Sequence, residues 1–341
     1  MPALDVDFRS ALRRTRRLLD DAGASLLNRR VLALCSGGVD SVVLVDLLAR
    51  LPRGAAPKSI RVLCLDHGVR AGVEAELAAA RAVAAAHDFD ITVERGALDT
   101  STHGTQAAAR TWRYATAARV AAVHGCDVVV TGHTASDQLE GALLGLVAVT
   151  GSGAPAAMPV ARELAPGVQL VRPLLALDRS TILELAAAAG RSWAEDPSNA
   201  DADAYLRNGV RHRVVPALLD LAPGAGPALA RAAQRASTQQ LALDSLAAAL
   251  LDSWGARTAP QRLDVRLAAP LATPARHALL ASWLRGAGLG RAVDARAIRA
   301  VDELVMRSGD ARIDLAGHAC VRRDGYDVTL CSTADTGAPR P

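Results

Sequence analysis

Arg30-Val-Leu-Ala-Leu-Cys35, running straight into Ser36-Gly37-Gly38-Val39-Asp40-Ser41, is the stretch on which the fold turns. A mainly apolar, strand-like run stops at paired glycines, and a helical pattern follows from about Val39 to Arg50. Two glycines let the backbone turn tightly, with their amides pointing at an anion. The helix N-terminus adds unpaired N–H groups and a partial positive charge. The Ser36 and Ser41 hydroxyls can donate to phosphate oxygens, so Ser36, Gly37, Gly38, Val39, Asp40 and Ser41 together form a candidate phosphate cradle. Asp40 is an odd neighbour for phosphate unless Mg²⁺ sits between them. A Walker A loop is excluded, because it needs Gly-Lys-Ser/Thr and the single lysine, Lys58, lies elsewhere. The bland alternative is a serine-capped turn, against which the strand–loop–helix context weighs.

Further apolar runs follow at 60–65, 90–94, 127–130 and 168–171. Helical patterns lie between and after them, at about 73–87, 104–124, 135–149 and 178–189. This alternation predicts an α/β fold, a parallel sheet with helices on both faces. Ligands of such sheets bind beyond the carboxyl ends of the strands. Three polar clusters fall there: Ser36–Ser41, Asp66–Arg70 and Gly132–Asp137. Past Pro216 the pattern changes, with a break at Pro223–Pro227 and helices over about 228–253. The stretch 274–306 reads as helical and 311–331 as two short strands around Arg323-Asp-Gly-Tyr326. The predicted organisation is an α/β domain over 1–216, a helical linker over 217–254 and a smaller α+β domain over 255–331. Gly151-x-Gly153-x-x-Ala156 mimics a dinucleotide fingerprint, but it follows a helix and contains Pro155.

Half of the 341 residues are apolar and only 3% aromatic, so Ala, Leu and Val must build the core. No apolar run is long enough for a membrane span, so the chain is expected to be soluble and to need no membrane. Arg9, Arg13, Arg14, Arg16 and Arg17 are followed by no apolar stretch with a cleavage site, which argues against a signal peptide. Cys35, Cys64, Cys126, Cys320 and Cys331 include no C-x-x-C pair. They read as thiols in a reducing cytoplasm, not as a disulfide frame or zinc site. The formal charge of +4 lies wholly beyond residue 200. Within 204–240, Arg207, Arg211, Arg213, Arg231 and Arg235 face only Asp220. That patch suits a phosphate backbone or a solvated helical face, and charge alone does not choose.

Ser36–Ser41 resembles the SGGxDS loop of the PP-loop ATP pyrophosphatases, which several synthetases and tRNA-modifying enzymes share. Leu65-Asp66-His67-Gly68-Val69-Arg70, Ala109-Arg110-Thr111-Trp112-Arg113-Tyr114 and Thr131-Gly132-His133-Thr134-Ala135-Ser136-Asp137-Gln138 narrow the likeness. So do Arg172-Pro173-Leu174-Leu175, Trp193-x-Glu195-Asp196-Pro197-Ser198-Asn199 and Arg207-Asn208-Gly209-Val210-Arg211. In this order, over about 31–216, they resemble the tRNA(Ile)-lysidine synthetases; 255–331 is only loosely similar to that family's substrate-binding domain. Ser136 stands where the family usually has an Asp, and Thr150 where an arginine is usual.

The resemblance implies a ligase that uses ATP and Mg²⁺ on the wobble cytidine of a tRNA(Ile) with a CAU anticodon. The cytosine C2 oxygen would attack the α-phosphate, and free L-lysine would then displace AMP to give lysidine. Asp40 and Asp137, at two strand ends, are the candidate metal ligands, though Thr134-x-x-Asp137 is also a capping box. His133 is a candidate for the α-phosphate, or a structural histidine. Arg113 suits developing negative charge, or is a solvated arginine beside Tyr114. Asp66, His67 and Arg70 would border the adenosine, with Asp66 otherwise a turn cap. Arg207, Asn208 and Arg211 would clamp tRNA phosphate or tie down the domain junction. A tRNA thiolation enzyme and a non-catalytic RNA-binding protein are the alternatives, and a homodimer is left open.

Overall fold

The computed structural model describes residues 3–66, 73–96, 105–147, 158–195, 206–222, 224–255, 262–289, 293–315 and 319–332. The chain divides into two compact units, one of Met1–Leu144 with Ala157–Ala232 and another of Gly145–Ala156 with Ala233–Pro341.

The first unit opens with α1 (Ala3–Asp21) and alternates β1 (Arg30–Leu34), α2 (Val39–Ala49), β2 (Ser59–Asp66), α3 (Val73–Ala85), β3 (Asp90–Arg95), α4 (Thr105–Val123), β4 (Val128–Val130) and α5 (Ala135–Val147). An antiparallel pair, β5 (Ala161–Ala165) and β6 (Val168–Val171), leads through a 3-10 turn at Pro173–Ala176 into α6 (Arg179–Ala188). The sheet order is β3-β2-β1-β4-β6-β5, with β5 the one antiparallel member. Strand direction of travel therefore reverses between β1 and β4, where ligands of open α/β sheets bind.

Alternate residues of each strand face opposite sides. Val31, Ala33, Val62, Val128, Val130 and Val171 pack with α1, α2, α3 and α6. Leu32, Leu34, Leu63, Val129 and Leu170 pack on the other side, against Ala117, Val120 and Ala121 of α4. The expected helices on both faces are present. Two elements packed on or in this sheet, α1 and β5, escaped the sequence reading. α1 buries Phe8, Ala11, Thr15 and Leu19, a helical spacing that its arginines disguise. β5 is short, half-exposed and carries Arg162 and Glu163, so it has no apolar run.

After α7 (Leu206–Gly209) comes a π-helical turn, Val210–Val214, then α8 (Val215–Leu221) and α9 (Ala225–Ser253). The second unit contains β7 (Arg262–Asp264), α10 (Val265–Ala268), α11 (Thr273–Gly286), α12 (Ala295–Met306) and the strands β8 (Ala311–Leu315), β9 (Ala319–Asp324) and β10 (Asp327–Ser332). Its antiparallel sheet runs β7-β10-β9-β8, four strands where two were expected. The α+β character holds, and Trp283, Leu279, Leu280, Val301, Val321 and Val328 form its core.

The cysteine reading needs correction. Cys320 and Cys331 face each other across β9 and β10 and are disulfide-bonded. Strand register brings them together, and spacing in the sequence does not reveal it. Cys35, Cys64 and Cys126 are buried free thiols, as expected.

Candidate active site

The phosphate loop is built around Ser41. Its hydroxyl donates to Gly38 O at 2.8 Å and accepts from the Ser36 amide at 3.1 Å. That proton is therefore used within the loop, and Ser41 shapes the cradle where it was expected to donate to phosphate. Gly37 has φ +82°, and a Cβ there would lie 2.1 Å from Glu76 O, so only glycine fits. Gly38 is the N-cap of α2 and offers no side chain, leaving the first amides of that helix uncapped by any side chain. Ala194 N donates to Gly37 O at 3.0 Å, which fixes the 190–195 segment to the loop.

The same segment is pinned to α2 at a second point. Asp46, fully buried on α2, accepts from Arg191 Nε at 2.8 Å and Nη2 at 2.7 Å, and pairs with His87 Nε2 at 2.5 Å. Burial pushes its carboxyl up, but the Arg191 and His87 hydrogen bonds outweigh that and hold it below the ordinary value.

The loop after β4 closes on the one after β1. At Gly132 a Cβ would come 3.1 Å from the Asp40 carbonyl, tighter than ordinary contact. Asp40 pairs with Arg179, Nη1 to Oδ2 at 3.1 Å. Burial raises the Asp40 carboxyl most, Arg179 lowers it and Asp137 raises it again, so the charge of Asp137 reaches Asp40. Arg179, the first residue of α6, was not singled out in the sequence, and only a fold that brings three helix starts together reveals it. Its amide donates to Ser136 Oγ at 3.1 Å, so the serine in place of the expected acid serves a helix start.

Asp137 uses its two oxygens differently. Oδ2 accepts from the Thr134 amide at 2.8 Å, while the Asp137 amide donates to Thr134 Oγ1 at 3.4 Å, the reciprocal capping box. Oδ1 accepts from Arg207 Nη2 at 2.7 Å. Gln138 pins Met158, donating to its carbonyl at 2.8 Å and accepting from its amide at 2.6 Å. His133 Nδ1 meets Thr131 Oγ1 at 2.8 Å. Burial pushes the imidazole down to about 4, Asp137 opposing this and Arg172, Arg113 and Arg110 adding to it.

Arg207 and Arg211 do share a face, as their spacing implied, but both turn to acids of α5. Arg207 Nε meets Glu140 at 2.8 Å and Arg211 Nε meets it at 2.6 Å. Asn208 is buried. Glu140, absent from the sequence reading, is 3% exposed and is the hub of this network. Arg113 is half-buried, and burial lowers it from the ordinary arginine value. Asp66 ends β2 and pairs with Arg95 at 3.3 Å. His67, Gly68, Val69 and Arg70 lie outside the described residues, as do Gly151–Gly153 and Asp196–Asn199. Among the described residues no cluster of three or more His, Cys, Asp or Glu could hold a metal by itself, and no helix is long and apolar enough to cross a membrane.

A PP-loop domain family matches residues 10–218, which include every strand and loop of this site. The chain is 36% identical to the tRNA(Ile)-lysidine synthase of Streptomyces coelicolor, over 88% of this chain and 84% of that one. The chain belongs to the tRNA(Ile)-lysidine synthase family. It is 37% identical to the Ralstonia nicotianae member over 86% of its own length, and 31% identical to that of Shigella flexneri over 89%. It spans 61% of the Ralstonia protein's length. Among solved structures, a U34-tRNA thiolase from Methanococcus maripaludis matches with a TM-score of 0.56 and 17% identity, covering 68% of this chain and 79% of that one. At that identity the likeness shows the fold of this lysidine synthase family member and nothing of its activity.

Proposed function

We propose that this chain ligates L-lysine to C2 of the wobble cytidine in a tRNA(Ile) with a CAU anticodon, through ATP-dependent adenylation of the base. The observation that carries the reading is the convergence of an uncapped helix start at Val39, the acids Asp40 and Asp137, and neutral His133 at the strand switch between β1 and β4. Family membership supplies the substrate class.

Phosphoryl transfer asks the protein chiefly for positioning and charge neutralisation. The α2 start would receive phosphate oxygens. Asp137 is close enough to raise the proton affinity of Asp40, which suits one divalent cation shared with phosphate. Both carboxylates are held by arginines here, and Asp40 and Asp137 are the residues that would hold Mg²⁺ arriving with the nucleotide, an ion that would supply neutralisation of phosphate charge. His133, neutral at physiological pH, would hydrogen-bond a phosphate oxygen without adding charge. The Cys35 and Cys64 thiols lie beneath the loop, and burial pushes Cys64 up to about 12. Such thiols are poor nucleophiles, which favours an amine acceptor over sulfur transfer. A tRNA-modifying role is in keeping with a cytoplasmic location.

The test is to incubate the protein with the tRNA, ATP and labelled lysine. Lysine-stimulated AMP release with label in the tRNA supports the reading. Stimulation by a sulfur donor would indicate thiolation instead, and neither response would leave an RNA-binding protein.

A further inference from the structure

We propose that Arg110, Arg113, Arg162 and Arg172 form a second phosphate site, which holds a backbone phosphate of the tRNA strand that presents the target base. This rests on the function proposed above. Arg110 and Arg113 lie on α4, Arg162 on β5 and Arg172 just past β6, and Tyr114 stands among them. The guanidinium of Arg110 is 5.4 Å from the Tyr114 ring centre and that of Arg162 is 5.1 Å from it.

Three facts make this cluster a site for an anion. Arg172 is 1% exposed, its Nη1 donates to Pro159 O at 2.6 Å, and its Nε has no partner. A buried donor left unpaired is costly, and a buried charge more so. Secondly, burial, Arg162 and Arg110 all disfavour the charge on Arg172, with only Tyr114 opposing them. Like charges gathered in a half-buried place need a counter-charge. Thirdly, none of the four has a carboxylate partner among the described residues, whereas Arg179, Arg191, Arg207 and Arg211 each have one.

Sheet order says which reactant supplies the anion. Across β1-β4-β6-β5 the phosphate loop follows β1, His133 follows β4, and Arg172 follows β6. The triphosphate has its own seat at the α2 start. Arg162 on β5 and Arg172 after β6 lie beyond β4 from it in the sheet, on the side from which the second reactant would approach the α-phosphate. Planar guanidinium forks fit phosphate oxygens two at a time. The shared chemistry is a phosphate oxyanion, which ATP also carries, so the experiment separates the two sources.

Binding of the tRNA transcript is measured at several salt concentrations, and binding of ATP alongside it, for the full-length wild type, Arg110→Gln, Arg162→Gln and the double variant. The double variant should bind tRNA about tenfold more weakly at low salt, its salt slope falling by about 0.7–0.9 per lost phosphate contact. Its ATP affinity should match the wild type. Weaker ATP binding with intact tRNA binding would assign the cluster to the nucleotide and overturn the proposal. Unchanged tRNA affinity and slope would overturn it too. Thermal melts monitor folding, and exposed Arg110 alone carries the test if Arg162→Gln unfolds. A wild type that binds tRNA but makes no lysidine would refute the proposed function, while the binding arms still judge this site.

Discussion

Asp137 shows how one carboxylate can meet two demands, since Oδ2 closes a capping box while Oδ1 faces Arg207. The demands separate by substitution. Asp137→Asn keeps an oxygen for the Thr134 amide, so stability should fall by less than the ~1 kcal/mol that a lost cap costs. Adenylation should fall steeply, because the charge is gone. If tRNA-dependent AMP release survived in that variant, the carboxylate would be a cap and nothing more. Asp40→Ala should abolish AMP release with an unchanged circular dichroism spectrum, and normal turnover would exclude Asp40 from the chemistry. His133 gives a pH test. Its folded value, about 4, lies below the ordinary 6.5, so the unfolded chain binds the extra proton between those values. Its contribution to stability is present above pH 6.5 and is lost as pH falls from 6.5 toward 4. In His133→Gln that part of the melting-temperature decline should flatten, and an unaltered profile would mean the imidazole is not held neutral.

At the scale of elements, the five parallel strands were legible as short apolar runs, three of them ending at polar clusters. Their partners were not. Glu140 meets Arg207 and Arg211 across 67 and 71 positions, and Asp46 meets Arg191 across 145, distances at which one sequence carries no pairing signal. For the same reason the pairing of Arg207 and Arg211 with Glu140 was not readable, although a structural tie was one of the two roles open to them, while the capping alternative for Asp137 was visible in four consecutive residues. Arg323 makes the point again. The sequence places it at a turn between two strands, yet it is 8% exposed and donates to the carbonyls of Leu304, Val305 and Arg307 at the end of α12. Asp46→Ala strands Arg191 and His87 at the back of the phosphate loop. It should cost about 3 kcal/mol in denaturant unfolding, the low end for a broken buried pair because Arg191 keeps some contact with water. A loss under about 1 kcal/mol would show that the network does not hold the loop.

For the whole molecule, charge is distributed by region. The first 200 residues are balanced, and the excess lies beyond them. Arg231 and Arg235 on α9 are exposed, whereas Arg322 is paired with Asp324 at 2.5 Å. Reversing Arg231 and Arg235 to Glu should therefore weaken tRNA binding and lower its salt slope, with ATP affinity unchanged. An unaltered slope would return them to the status of a solvated helical face. The second unit was legible as α+β but not in detail, because β7 has only three residues and the helical stretch 274–306 is two helices, α11 and α12.

Helix α2 buries nine of its eleven residues, including its acid Asp46, so it has no free face on which to shift. A cradle mounted on such a helix is already assembled before any nucleotide arrives. Little ordering entropy remains to be lost in the cradle itself. The kinetic signature is a single-exponential approach to ATP binding whose rate climbs linearly with concentration. Stopped-flow mixing with a fluorescent ATP analogue would display it. A rate that levels off at high concentration would reveal a slow rearrangement, with the arginine pairs on Asp40 and Asp137 as the first place to look.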